Sequence, residues 1–126
     1  MLVAAQRLTL NPGQTAREAL RVIRILPLEL QLAGGLARAE TLDISTGGFS
    51  SVLYRALQPE ETVGFSLHLA SGPVKGRSRV ASIQQQGAAI RVSFRMEGLS
   101  PADVERMGSE VMDAALEQLA TLVETA

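Results

Sequence analysis

The chain of 126 residues contains no cysteine. Disulfides and thiolate metal sites are thereby excluded, and a cytoplasmic setting is expected. Tryptophan is absent, and the aromatics are three Phe and one Tyr. A core must therefore be built from Val, Ile, Leu and Ala. Nucleic-acid binding is not expected either, since paired aromatic stacking platforms are lacking and the net charge is only -1. No apolar run approaches the roughly 18 to 20 residues of a membrane helix, so no membrane insertion is expected. The apolar start, Met1 to Ala5, is cut short by Arg7 and has no charged region before it, so it does not read as a signal peptide. The lone histidine, His68, has no recognisable partner and reads as a solvated strand position. Ser45 is not in a Gly-x-Ser-x-Gly elbow, and no His or carboxylate cluster has metal spacing. No catalytic residue, metal or cofactor is expected.

What is present fits one compact domain: 46% of the residues are hydrophobic. Of the 12 basic residues, only Lys75 is a lysine. Arginine is the better fork for phosphates and guanine edges, although a GC-rich genome also favours it. Asn11-Pro12-Gly13 is a turn signal, and Thr15 with Glu18 has the spacing of a capping box. A strand-like pattern starts at Val22 and runs to Leu32, with Pro27 implying an edge or a bulge. Gly34-Gly35 reads as a hairpin turn, followed by a return strand from Leu36 to Ile44. Further strands are expected at Phe49–Leu57, Thr62–Ala70, Val74–Gln84 and Ala88–Met96. Six short antiparallel strands at this spacing indicate a closed barrel or a sandwich.

The final segment changes period. Ser100-Pro101-Ala102-Asp103 supplies an N-cap, a proline at the first helical position and an acid in the first turn. Val104, Met107, Val111, Ala115, Leu119 and Leu122 follow at spacings of three and four, as in an amphipathic helix over 101–123. Met112, Leu116 and Val123 widen the stripe. The line through Val104, Met107 and Val111 is assigned to barrel packing. The far end is left as further packing surface or as a homodimer or partner face.

Two short patterns carry chemistry. Arg17-Glu18-Ala19-Leu20-Arg21 is an Arg-x-x-x-Arg, and Arg91-Val92-Ser93-Phe94-Arg95 is a second copy. Taken alone, the first reads as one face of a helical turn and the second as the outward face of a strand. Asp43-Ile44-Ser45-Thr46-Gly47-Gly48 is an Asp-x-Ser-x-x-Gly. Its plain reading is a polar strand end with Asp43 and Ser45 bonded to nearby backbone. Arg24, close to the first pair, reads as a strand residue facing water.

Order and spacing tie these patterns together. An Arg-x-x-x-Arg before the first strand, a hairpin, and Asp-x-Ser-x-x-Gly ending the second strand resemble the PilZ domain family. Pro27 within the first strand, Phe49 after Gly48, the late strand ending at Phe94 and the C-terminal helix extend the likeness over roughly residues 16 to 123. The resemblance implies a mainly β fold: a six-stranded antiparallel barrel with a C-terminal amphipathic helix, residues 16–126, after an N-terminal extension over 1–15. It implies a bacterial receptor for cyclic di-GMP in motility or biofilm regulation. Arg17 and Arg21 would contact phosphates and guanine edges and stack on the bases. Asp43 would accept from a guanine N1–H and amino group, Ser45 would donate to a phosphate or guanine acceptor, and Gly48 would allow close backbone approach. Ala16, before the first arginine, does not say whether one ligand or a stacked pair binds. The residue types suit such a ligand, because guanidinium planes match phosphate forks and guanine edges and stack on bases. Ligand-induced ordering of the Arg17–Arg21 segment would be relayed to an unidentified protein effector. The alternative is a PilZ-like interaction module that binds no nucleotide.

Overall fold

Period-two alternation places Leu28, Leu30 and Leu32, then Val63, Phe65, Leu67 and Leu69, on the inward faces of their strands, all buried. The computed structural model describes residues 20–125. The elements in chain order are β1 (Val22–Ile23), β2 (Pro27–Leu32), β3 (Gly35–Ile44), β4 (Gly48–Leu53), β5 (Thr62–Leu69), β6 (Gly72–Gln86), β7 (Ala89–Glu97) and a helix, α1 (Pro101–Thr125). The hydrogen-bonded order β3-β2-β5-β6-β7-β4 closes through a β3–β4 pairing into a six-stranded antiparallel barrel. Closure removes the free strand edges that would otherwise recruit other chains.

The expected first strand, 22–32, is broken. Arg24 to Leu26 leave the ladder, and β1 is a two-residue piece beside the far end of β3. Thr41 holds this break. Its hydroxyl accepts from the Leu26 amide at 2.9 Å and donates to the Arg24 carbonyl at 2.5 Å. The bulge that Pro27 implied thus lies just before it. The third strand stops at Leu53, short of the expected Leu57. At the β2–β3 hairpin Gly35 has φ of 125°, a conformation that L side chains avoid. In the barrel, Phe49 packs between Phe94 and Phe65, with ring centroids 5.1 and 5.3 Å away.

Helix α1 starts as its sequence implies, with the Asp103 amide donating to Ser100 Oγ at 3.1 Å. Met107, Val111 and Ala114 are buried against the barrel. Val104 is not: it stays 39% exposed. The first turn is held instead by Arg106, which donates to the carbonyls of Gly72 at 2.6 Å and Pro73 at 3.0 Å. Farther along, Met112, Leu116 and Leu119 remain about half exposed.

The helix is also tied to β1 and the break after it. Arg24 donates to Glu110 at 2.8 Å and to Glu117 at 2.5 Å, and Gln118 donates to the Ile23 carbonyl at 3.0 Å. Arg24 therefore does not face water: its side chain is 21% exposed. Burial disfavours its charge, but the hydrogen bonds and negative charges of Glu110 and Glu117 outweigh that and raise its pKa. Glu110 is buried and accepts a second bond, from the Ala70 amide at 3.0 Å. The two glutamates should differ sharply on truncation. Glu110→Ala strips the buried partner from Arg24 and is expected to cost about 3–5 kcal/mol, whereas Glu117→Ala, at an exposed position, should cost about 1 kcal/mol or less. Urea unfolding of the two variants checks the contrast.

Candidate ligand-binding site

Asp43 ends up on the outer wall of the barrel because its neighbour Ile44 is wholly buried in the core. β1 flanks it on one side, with Ile23 opposite Asp43, and β4 on the other, with Ser50 opposite. A register shift between Thr41 and Asp43 bulges β3 just before it. Bulges of this kind re-aim side chains next to functional sites.

The Asp43 side chain is only 12% exposed, so its charge requires partners. It has two. Arg21, immediately before β1, donates from Nη1 to Oδ1 at 2.5 Å. Arg91, on β7, reaches across β4 and donates from Nη2 to Oδ2 at 2.9 Å. Each carboxylate oxygen thus carries one guanidinium. The two arginine side chains are themselves 44% and 40% exposed. They present their remaining donors to solvent, where an anion or a base edge can be met.

The loop between β3 and β4 is a self-bonded turn. Ser45 Oγ accepts from the amides of Gly47 at 3.2 Å and Gly48 at 3.1 Å, and the Ser45 amide donates to the Gly48 carbonyl at 2.9 Å. The Gly47 carbonyl accepts from the Met96 amide of β7 at 2.8 Å. Ser45 is buried, so its hydroxyl here shapes the loop. Gly48 has its own reason in the packing: a Cβ there would lie 2.1 Å from the Phe94 carbonyl oxygen.

Of the five residues assigned to the site from sequence, Arg21 and Asp43 meet directly. Ser45 and Gly48 build the adjoining loop, and Arg17 lies outside the described residues, as do Ala16 and the Thr15–Glu18 capping pattern. The residue missed is Arg91. The second Arg-x-x-x-Arg is indeed the outward face of a strand, but pairing of β4 with both β3 and β7 brings that face over Asp43. Ser50, in the Cα row between Asp43 and Ser93, has a buried Oγ without a hydrogen-bond partner. His68, read as solvated, lies 3.1 Å from Glu29 on another face of the barrel. Among the described residues, no group of three or more His, Cys, Asp or Glu could hold a metal ion, and no helix is long and apolar enough to cross a membrane.

A family model described as PilZ domain matches residues 15–113. Comparison with curated proteins finds no match. Solved structures share the fold at low identity. The structure of YcgR from Escherichia coli in complex with c-di-GMP is 19% identical, with a TM-score of 0.72 over 84% of this chain and 49% of that one. The separate PilZ domain of YcgR with c-di-GMP is also 19% identical, with a TM-score of 0.67 over 81% of this chain and 93% of that one. The Bacillus subtilis inhibitor of motility, MotI/DgrA, is 16% identical, with a TM-score of 0.66 over 80% of this chain and 50% of that one. The chain spans about half the length of the MotI chain and of the first of the two YcgR chains.

Gly48→Ala is expected to push β4 from β7, because the clash is with backbone that cannot rotate away. A stability loss of about 1–3 kcal/mol or more should follow, measured by chemical denaturation.

Proposed function

Because this chain belongs to the PilZ domain family, we propose that it is a non-enzymatic receptor for cyclic di-GMP that relays the messenger level to a partner protein. The observation that carries this reading is the mostly buried Asp43 carboxylate on the outer barrel wall, with a half-exposed arginine on each oxygen. That arrangement combines a fixed acceptor for a guanine edge with guanidinium forks for phosphate. The c-di-GMP complexes of YcgR have the same fold, which supports the choice of ligand. Arg17 and Arg21 would hold phosphate and guanine, Asp43 the guanine Watson–Crick edge. Ser45 would contribute mainly by fixing the loop, with Gly48 as its close-packed end.

A relay has a supporting path. Arg21 is three residues before Arg24, and Arg24 is bound to Glu110 and Glu117 of α1. Ordering of the segment from Arg17 to Arg21 on a ligand would act on β1 and, through Arg24, on the helix. The half-exposed apolar residues Met112, Leu116 and Leu119 supply a face that a partner or a second copy of the chain could read. The process served would be motility or biofilm control in the bacterial cytoplasm; the B. subtilis neighbour is itself an inhibitor of motility.

One observation favours a second reading, an interaction module without nucleotide: Arg21 and Arg91 are already occupied by Asp43. Ion pairs with arginines this exposed are worth about 1 kcal/mol or less each, so a doubly charged ligand can displace them. Isothermal titration separates the two readings. The protein is expected to bind cyclic di-GMP, and the Arg17→Ala/Arg21→Ala double variant to fold normally and lose binding. Absence of binding by the wild-type chain at tens of micromolar ligand would overturn the receptor reading and leave the second.

A further inference from the structure

The second Arg-x-x-x-Arg, on β7, supplies one of the two guanidinium forks at Asp43. Ile90, Val92 and Phe94 point into the barrel and are buried. Arg91, Ser93 and Arg95 therefore share the outer face. Arg91 holds Asp43 Oδ2, while Arg95 stands opposite Gly48, at the end of the Asp-x-Ser-x-x-Gly loop. Arg95 is exposed and has no ion pair among the described residues.

Arg21 and Arg91 thus flank one carboxylate, and Arg95 lies two residues along β7 from the row of Asp43, Ser50 and Ser93, in a chain whose net charge is only -1. The two guanidinium groups on this carboxylate leave one positive charge in surplus, on the wall where a ligand bearing two phosphates is proposed to lie.

Stereochemistry adds a second point. A guanine Watson–Crick edge offers two adjacent donors, N1–H and the 2-amino group. A carboxylate receives them on both oxygens, and these are the oxygens that Arg21 and Arg91 occupy. Docking of a guanine edge on Asp43 therefore competes with both guanidinium groups for its oxygens. Arg21 sits at the start of β1, next to the segment proposed to order on the ligand. Arg91 is the third residue of a nine-residue strand paired on both sides, so its guanidinium can move only within the reach of its own side chain. Its closest new anion is then the ligand.

We infer that Arg91 is a third ligand-binding arginine, one that gives up Asp43 to the guanine edge and turns its fork to the ligand's phosphate. This rests on the receptor reading above and adds to it a ligand contact borne on β7.

The test is titration of the wild-type chain, Arg91→Ala and Arg91→Lys with cyclic di-GMP at two salt concentrations, with thermal unfolding of each variant. Arg91→Ala is expected to unfold near the wild-type temperature and to bind about ten- to a hundredfold more weakly. Its affinity should also fall less steeply with salt, because one charged contact is gone. Arg91→Lys keeps the charge but not the fork, and should fall between the two. Arg91→Ala binding within twofold of wild type, or more tightly, would overturn the inference and make Arg91 only a competitor for Asp43. If Arg91→Ala does not fold, wild-type affinity in Arg91→Lys with an unchanged salt slope would overturn the fork-to-phosphate contact. Failure of the wild-type chain to bind would overturn the receptor reading itself, and is told apart by that.

Discussion

A carboxylate set almost out of water on the outside of a barrel is the constraint around which this structure is arranged. Asp43 has to be where it is because Ile44 fills the core beside it and a bulge turns β3 just before it. Its charge then has to be met from outside the strand. No lysine is near; the partners are arginines from the two elements flanking β3 and β4. One lies just before β1 and the other on β7, the last strand. The pair of contacts joins residues 22 and 48 positions apart. Such a link holds only as long as nothing better competes for the carboxylate, which is the property that the proposed receptor role requires.

A second polar anchor lies a few residues away and has the opposite character. Glu110 is buried, is bonded to Arg24 and to the Ala70 amide, and fixes α1 across the barrel end. Removal of Arg24 would strand the buried Glu110 carboxylate, so this contact is expected to persist while the Asp43 contacts are proposed to exchange. Arg21 and Arg24 are one helical turn's worth of chain apart yet belong to these two regimes. The proposed relay uses this closeness to carry a change from the exchangeable site to the permanent one. The helix beyond Ala114 presents half-exposed apolar side chains to solvent, so any shift of that end changes a surface that another protein can recognise.

How much of this could be read in advance follows from the range of the interactions. Five of the six barrel strands and the helix announce themselves through short-range periodicity: Thr62–Leu69 alternates without a fault, and Ser100-Pro101 opens the helix. The break at Arg24–Leu26 was visible only as Pro27, because its cause is Thr41, on another strand. Arg24 and Arg91 were read as strand residues facing water. Their partners, 86 and 48 positions away, become neighbours only after the barrel closes. Asp43 was recognisable because its motif is local. The arginine that completes its environment was not, since an outward arginine on a strand looks the same whether or not a carboxylate lies across the sheet. Gly48 illustrates a further limit. A motif glycine invites a ligand explanation, and the carbonyl of Phe94 provides a packing one.

The account stands on exchange at Asp43, and nuclear magnetic resonance of the arginine side chains observes that exchange directly. With cyclic di-GMP added stepwise to the labelled wild-type chain, the Nε–H signals of Arg21 and Arg91 and the amide signals of Gly47 and Gly48 are predicted to move together and to saturate at the same ligand concentration. Movement confined to another face of the barrel, such as the Glu29–His68 side, or no movement at all, would contradict it.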